Sequence, residues 1–210
     1  MSARGLFISI EGGEGAGKST VMAALSEALV ARGHEVVLTR EPGGTPEGEA
    51  IRALLLDPGN HLLPETELLL MFASRAQLVR QCVLPALARG AAVLTDRFTD
   101  ASFAYQGGGR GLDMARIAEL ERWAAGIKPD LTFLLDVGVA EGLARARSRG
   151  GEPDRIERER GDFFERVRAT YLLRAAAEPD RFRLIDAGQP ADDVRRSVLA
   201  ALAGWIEASR

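Results

Sequence analysis

Gly12, Gly15, Gly17, Lys18 and Ser19 stand in the spacing G-x-x-x-x-G-K-[ST], the residue types a chain needs to hold a polyphosphate. The glycines let the backbone turn tightly and aim its N–H groups at phosphate oxygens, and the positive end of a following helix points at the same anion. In that pattern Lys18 reaches the β- and γ-phosphates and the Ser19 hydroxyl ligates Mg²⁺. Gly13, Glu14, Ala16 and Thr20 complete the loop. The pattern implies a nucleoside triphosphate site and leaves its acceptor open.

Further groups suited to phosphate chemistry lie downstream. Asp96 can hold Mg²⁺ directly or through water, and the adjacent Arg97 can clamp a phosphate in a bidentate manner. A structural Asp–Arg pair is the competing reading. Arg40 is either a rim ligand at a strand end or half of a surface pair with Glu41. Arg145, Arg147 and Arg149 precede Gly150-Gly151, and Arg155, Arg158 and Arg160 follow. Cations at a helix end complement its dipole, yet a glycine-hinged, arginine-dense segment over about 147–160 also reads as a lid closing on phosphates.

These groups need a frame. Apolar, β-branched runs predict strands at Leu6–Glu11, Glu35–Thr39, Ala91–Thr95, Leu131–Asp136 and Phe182–Ile185, each followed by helix-length sequence. Such connections require a parallel sheet, so the fold class is α/β: a five-stranded parallel sheet flanked by helices, in one domain spanning residues 1–210. Thr45-Pro46 caps and starts a helix. A long helix is expected from Pro64 or Glu65 to about Arg89, kinked at Pro85. Thr99–Tyr105 reads as helical, and Gln106 to Gly111 as a flexible cationic loop. Asp113 caps the next helix, and helices follow over Val139–Arg149, Phe163–Glu178 and Ala191–Ile206. The loop from Asp186 to Pro190 lies where a nucleotide base can be bordered.

The chain has 210 residues and a formal net charge of −3, which argues against a general nucleic-acid field. Its lone cysteine, Cys82, excludes an internal disulfide framework. No apolar run approaches membrane-spanning length, and no signal-peptide pattern precedes the first strand, so the expectation is a cytoplasmic protein without a membrane or nucleic-acid partner.

Taken together, the segments Glu11 to Ser19, Thr39-Arg40-Glu41-Pro42-Gly43-Gly44-Thr45, Ser74-Arg75-Ala76-Gln77, Asp96-Arg97-Phe98, Ala104 to Gly111, Lys128-Pro129-Asp130-Leu131-Thr132 and Asp154-Arg155-Ile156-Glu157 resemble the thymidylate kinase family over nearly the whole chain. The resemblance implies a P-loop nucleoside monophosphate kinase fold, ATP and Mg²⁺ as cofactors, dTMP as acceptor and a homodimer, with the long helix around Leu68 to Leu84 as one source of interface. It also assigns roles. Arg40 and Arg97 bind the acceptor phosphate, Arg75 meets the thymine edge, Tyr105 crowds the sugar 2′ position, and Ser102 and Gln106 lie near the base. Glu14 addresses the acceptor sugar or phosphate region. Because Glu14 is negative, the catalytic cation comes from the lid, at Arg149, beside Lys18 and Arg97. The usual base-stacking Phe is replaced by Met71, with Phe72 next to it, and either side chain can cover the thymine. Ala101 stands where Ser is frequent. Two rivals remain on sequence grounds: another nucleoside monophosphate or deoxynucleoside kinase, and a P-loop switch or binding protein.

Overall fold

The computed structural model describes residues 4–148, 150 and 152–208. Its centre is a five-stranded, all-parallel sheet in the order β2-β3-β1-β4-β5. The strands are β1 (Phe7–Gly12), β2 (Val36–Arg40), β3 (Ala92–Asp96), β4 (Leu131–Asp136) and β5 (Phe182–Asp186). Four of the five end one residue later than the apolar pattern suggests. The added residues Gly12, Arg40 and Asp96 still sit in the ladder, where Gly12 pairs with Leu135 and Arg40 with Asp96.

Parallel sheets are covered on both faces, and alternation along β1 shows why this one is. Ile8 and Ile10 face a cluster formed with Leu25, Leu29, Val198 and Leu202 from α1 (Lys18–Val30) and the C-terminal helix Ala191–Ala208. Phe7 faces the opposite layer with Leu78, Val79, Val83 and Phe98. Phe133 in β4 is fully buried, a placement worth about 1.5–3 kcal/mol relative to an exposed ring.

Thr45 accepts a hydrogen bond from Gly48 N and starts α2 (Pro46–Leu56) with Pro46 in its first turn, as the sequence predicts. The long helix is real but interrupted. α3 (Pro64–Leu78) passes into a wide turn of π type at Val79–Val83 before α4 (Leu84–Ala88). The irregularity falls just ahead of Pro85, whose missing N–H and bulky ring prevent a regular ladder there.

The segment 106–111 requires a correction. α5 (Thr99–Ser102) continues as π-type turns through Phe103–Gly109, so Gly107, Gly108 and Gly109 belong to a packed helix and not to a flexible loop, while Gly111 lies beyond it. The reason is close approach. A Cβ on Gly108 would stand 2.0 Å from Thr170 Oγ1, and one on Gly109 would stand 2.5 Å from the Phe163 ring. Both contacts come from α8 (Gly161–Ala177), which lies beyond α6 (Met114–Leu120) and α7 (Val139–Ser148) in the chain. Asp113 caps α6 through Ala115 N. The chain closes with β5 and α9 (Ala191–Ala208). No helix among the described residues is long and apolar enough to cross a membrane.

Candidate active site

The crevice in which open α/β sheets bind ligands opens at the carboxyl ends of β1 and its neighbours, where the connection after β1 runs to the β2 edge and the one after β4 to the β5 edge. β1 delivers the loop from Gly12 to Ser19 into this crevice. Gly15 (φ 69°) has backbone geometry suited to glycine, and a Cβ there would meet Gly142 O at 2.0 Å. Lys18 folds back on the loop, donating to Gly12 O at 3.2 Å and Gly13 O at 3.0 Å. Its burial, with Arg97 nearby, lowers the ammonium pKa against the opposing pull of Glu14, Asp96 and Glu11. On the far side of the loop, Gly15, Ala16, Gly17 and Thr20 line an open cleft with Arg145, Ala187 and Gln189. The segment after β5 therefore borders the phosphate loop.

Arg97 is the one non-glycine residue among those described with positive φ, at 69°. Such a conformation is sparsely populated and is held only where surroundings demand it. Glu11 supplies part of that demand, since its carboxylate accepts from Phe98 N and from Tyr171 Oη, each at 2.7 Å. Burial, with Asp100 close by, raises Glu11 to about 8. The Arg97 side chain donates to Glu14 Oε1 at 2.6 Å and to Tyr105 Oη at 2.8 Å. Burial alone would raise Glu14; Arg97 and Lys18 outweigh it and hold the carboxyl at about 2. Asp96 Oδ1 is buried without a hydrogen-bond partner. An orphaned carboxylate oxygen beside the phosphate loop fits a magnesium site completed by the Ser19 hydroxyl and phosphate oxygens. Among the described residues no three His, Cys, Asp or Glu side chains converge to hold a metal by themselves.

A cavity of about 220 Å³ adjoins Glu14 and Arg97. Met71, Arg75, Ser102, Tyr105 and Gln106 all line it. Arg75 is buried and bonded to Glu41 Oε2 at 2.6 Å, Ser102 Oγ at 3.0 Å and Phe98 O at 3.0 Å.

Two sequence-based placements change. Phe72 does not line the cavity; its ring lies under the Arg75 guanidinium, 4.5 Å from centroid to Cζ, and packs with Leu68, Phe103 and Ile117. Consecutive helical residues point about 100° apart, so only one of the pair can face the cavity, and Met71 does. Arg40 also stays off the cavity wall, paired to Glu49 at 2.9 Å on an exposed surface. Arg52 takes the place on the wall, together with Glu41. Arg52 falls four residues after Gly48 and three before Leu55, the two buried positions of α2, and so shares their inward face.

Asp154, Ile156 and Glu157 cover another side of the cavity. Arg155 anchors that segment through Leu55 O at 2.7 Å and Glu67 Oε2 at 2.6 Å. Arg149, the residue to which a catalytic charge is assigned by resemblance, lies outside the described residues.

A phosphate loop, a partnerless Asp96 oxygen, buried arginines and a second cavity across Glu14 define a P-loop nucleoside monophosphate kinase. The thymidylate kinase family model matches residues 10–198. A thymidylate kinase of Chromohalobacter salexigens is 58% identical over 208 residues, covering 96% of this chain and 98% of that protein. One from Pseudomonas fluorescens is 55% identical, covering 98% and 99%. The crystal structure of a thymidylate kinase from Ehrlichia chaffeensis superposes with a TM-score of 0.78 at 31% identity, covering 95% of this chain and 99% of that one. The chain belongs to the thymidylate kinase family.

Proposed function

We propose that the chain transfers the γ-phosphoryl group of ATP to dTMP, giving dTDP and ADP. The observation that supports this acceptor is the cavity joined to the phosphate loop at Glu14 and Arg97, walled by Arg75, Ser102 and Gln106 for a base and by Tyr105 near a sugar.

In this reading the loop from Gly12 to Thr20 binds the donor phosphates, with Lys18 on the β- and γ-groups. Ser19 and Asp96 would hold Mg²⁺, which would supply charge neutralisation for the donor phosphates. Arg97 and Arg52 take the acceptor phosphate, and Arg40 serves the rim at most through its pairing with Glu49. A phosphate monoester already carries its nucleophilic oxygens near neutral pH, so positioning and electrostatics suffice and no side-chain nucleophile is needed. Glu14 cannot stabilise a departing phosphoryl group, and Arg149 in the lid segment 147–160 supplies that cation. We place the enzyme in the cytoplasm on the sequence reading alone. Exposed Leu69 and Trp123, beside a groove lined by Leu68, Leu112 and Leu120, support a homodimer.

The test is turnover with ATP and a panel of dTMP, dUMP, dCMP and dGMP. A preference for dTMP is the expected result; preference for a base other than thymine would sink the assignment. Light scattering at micromolar concentration tests the dimer, and a monomeric mass would remove it.

A further inference from the structure

Glu67, on α3, is outside the set of cavity-lining residues and is 1% exposed. It nevertheless touches the cavity's chemistry through Gln106, whose Nε2 donates to Glu67 Oε1 at 2.9 Å. Arg110 Nη2 donates to Oε2 at 3.1 Å and Arg155 Nη2 to the same oxygen at 2.6 Å. Burial by itself would raise the carboxyl pKa, but bonds from Arg110, Gln106 and Arg155 keep it below the ordinary range. Glu67 is therefore ionised and can only accept.

That fixes the neighbouring amide. A flipped Gln106 would set its oxygen against a buried carboxylate, two acceptors with no proton between them, at a cost of about 1–3 kcal/mol. The NH₂ end must face Glu67, which leaves Oε1 as the end available to the cavity; no described residue donates to it. One helical turn earlier, Ser102 Oγ is held by Arg75 Nη1. Arg75 uses three of its five N–H groups on Glu41, Ser102 and Phe98, so two donors remain. The wall thus offers donors from Arg75 and an acceptor from Gln106. A 4-keto pyrimidine presents the complementary edge, with O4 accepting and N3–H donating. A 4-amino pyrimidine presents the reverse.

We propose that Glu67 is a specificity-determining positioning residue: by holding the Gln106 amide in one orientation from outside the cavity, it makes the wall select an N3–H base edge and reject cytosine. This rests on the reading of the cavity as the dTMP site.

The experiment compares kcat/KM for dTMP and dCMP in the wild type, Glu67→Gln, Gln106→Met, the double variant and Arg155→Met. Glu67→Gln lets either end of the amide turn inward, so the dTMP:dCMP ratio should fall by roughly tenfold or more, the equivalent of one misplaced hydrogen bond. On the Gln106→Met background the same substitution should change the ratio by less than about twofold, because the group it acts through is gone. Arg155→Met removes another partner of Glu67 but not the bond to Gln106, and should leave the ratio intact whatever it does to kcat. An unchanged ratio in Glu67→Gln, or an equal fall in Arg155→Met, overturns the inference. If Glu67→Gln does not fold, the wild type still decides: dUMP, which keeps N3–H, must bind more tightly than dCMP, and equal affinities overturn it. A wild type with no preference for dTMP over dCMP would instead refute the dTMP reading itself.

Discussion

Arg97 Nη2 lies 2.6 Å from Glu14 Oε1, and the Tyr105 hydroxyl bridges the two at 2.8 Å and 3.0 Å. The P-loop acid and the arginine that follows β3 are thereby joined on one wall of the cavity. Glu14 cancels part of the Arg97 charge and fixes its direction, so that on the proposed reading a phosphate would meet a side chain already oriented. Preorganised charge of this kind needs no rearrangement during transfer.

Removing that charge should therefore damage the reaction more than the fold. Arg97→Met is expected to lower kcat/KM for dTMP by about two to three orders of magnitude, the usual loss for one preorganised donor. Steady-state kinetics, with circular dichroism as a check on folding, measures it. An enzyme within about threefold of wild type would remove Arg97 from the site.

The same pair sets a pH dependence. Glu14 titrates at about 2 in the folded chain against an ordinary 4.5, so its ionised form stabilises the fold above the unfolded value and loses that contribution as pH falls through the folded one. The stability gap between wild type and Glu14→Gln should stay level from about pH 7 to pH 5 and narrow below about pH 4.5. Urea unfolding across that range reads the gap. A gap that widens with acid would mean the carboxyl is not held by Arg97 and Lys18.

Arg40 and Arg52 make a second contrast. Arg40 pairs with Glu49 where both side chains are about half exposed (54% and 43%), and such pairs contribute only about 0–1 kcal/mol. Arg52 is largely enclosed, donates to Pro42 O at 3.0 Å and lines the cavity beside Arg97. Arg52→Met should raise the KM for dTMP by about tenfold or more, as loss of a charged hydrogen bond does, while Arg40→Met changes it little. Equal effects on KM would restore Arg40 to the phosphate site.

The strands and the phosphate loop were legible because burial on both faces writes continuous apolar runs and because glycine, lysine and serine spacing is tied to backbone geometry. Strand ends were missed by one residue because Arg40 and Asp96 are polar yet paired in the ladder; polarity stops the pattern before hydrogen bonding stops the strand. Arg52 and Glu67 were hidden for another reason. Each sits in a helix whose sequence reads as ordinary amphipathic surface, and only the approach of α2, α3 and the 152–160 segment turns those charges inward. The π-type turns at Val79–Val83 and Phe103–Gly109 likewise answer to tertiary packing.

Gly108 tests the corrected view of that second turn. A side chain there would meet Thr170 Oγ1 at 2.0 Å and Arg166 O at 3.0 Å. Gly108→Ala should destabilise the fold by about 1–3 kcal/mol through overpacking, visible as a lower urea midpoint. A flexible loop would absorb the methyl group at no cost, so an unchanged midpoint would reinstate that description.

Met71 and Phe72 separate base contact from core packing. Met71 lines the cavity with its side chain at the rim of the buried layer, whereas Phe72 is 2% exposed and wedged between Arg75 and the Ile117 cluster. Phe72→Ala opens a void in that cluster and withdraws the ring beneath the guanidinium, so a loss of about 3–5 kcal/mol in stability should result. Met71→Ala removes apolar cover from the acceptor, and its main effect should be a higher KM for dTMP with kcat preserved, because cover of this kind binds ground state and transition state alike. Thermal melts and steady-state kinetics on both variants give the comparison. A Phe72→Ala enzyme of normal stability but weakened dTMP binding would show that the ring reaches the base after all, by rotation of α3 about its axis when the nucleotide enters.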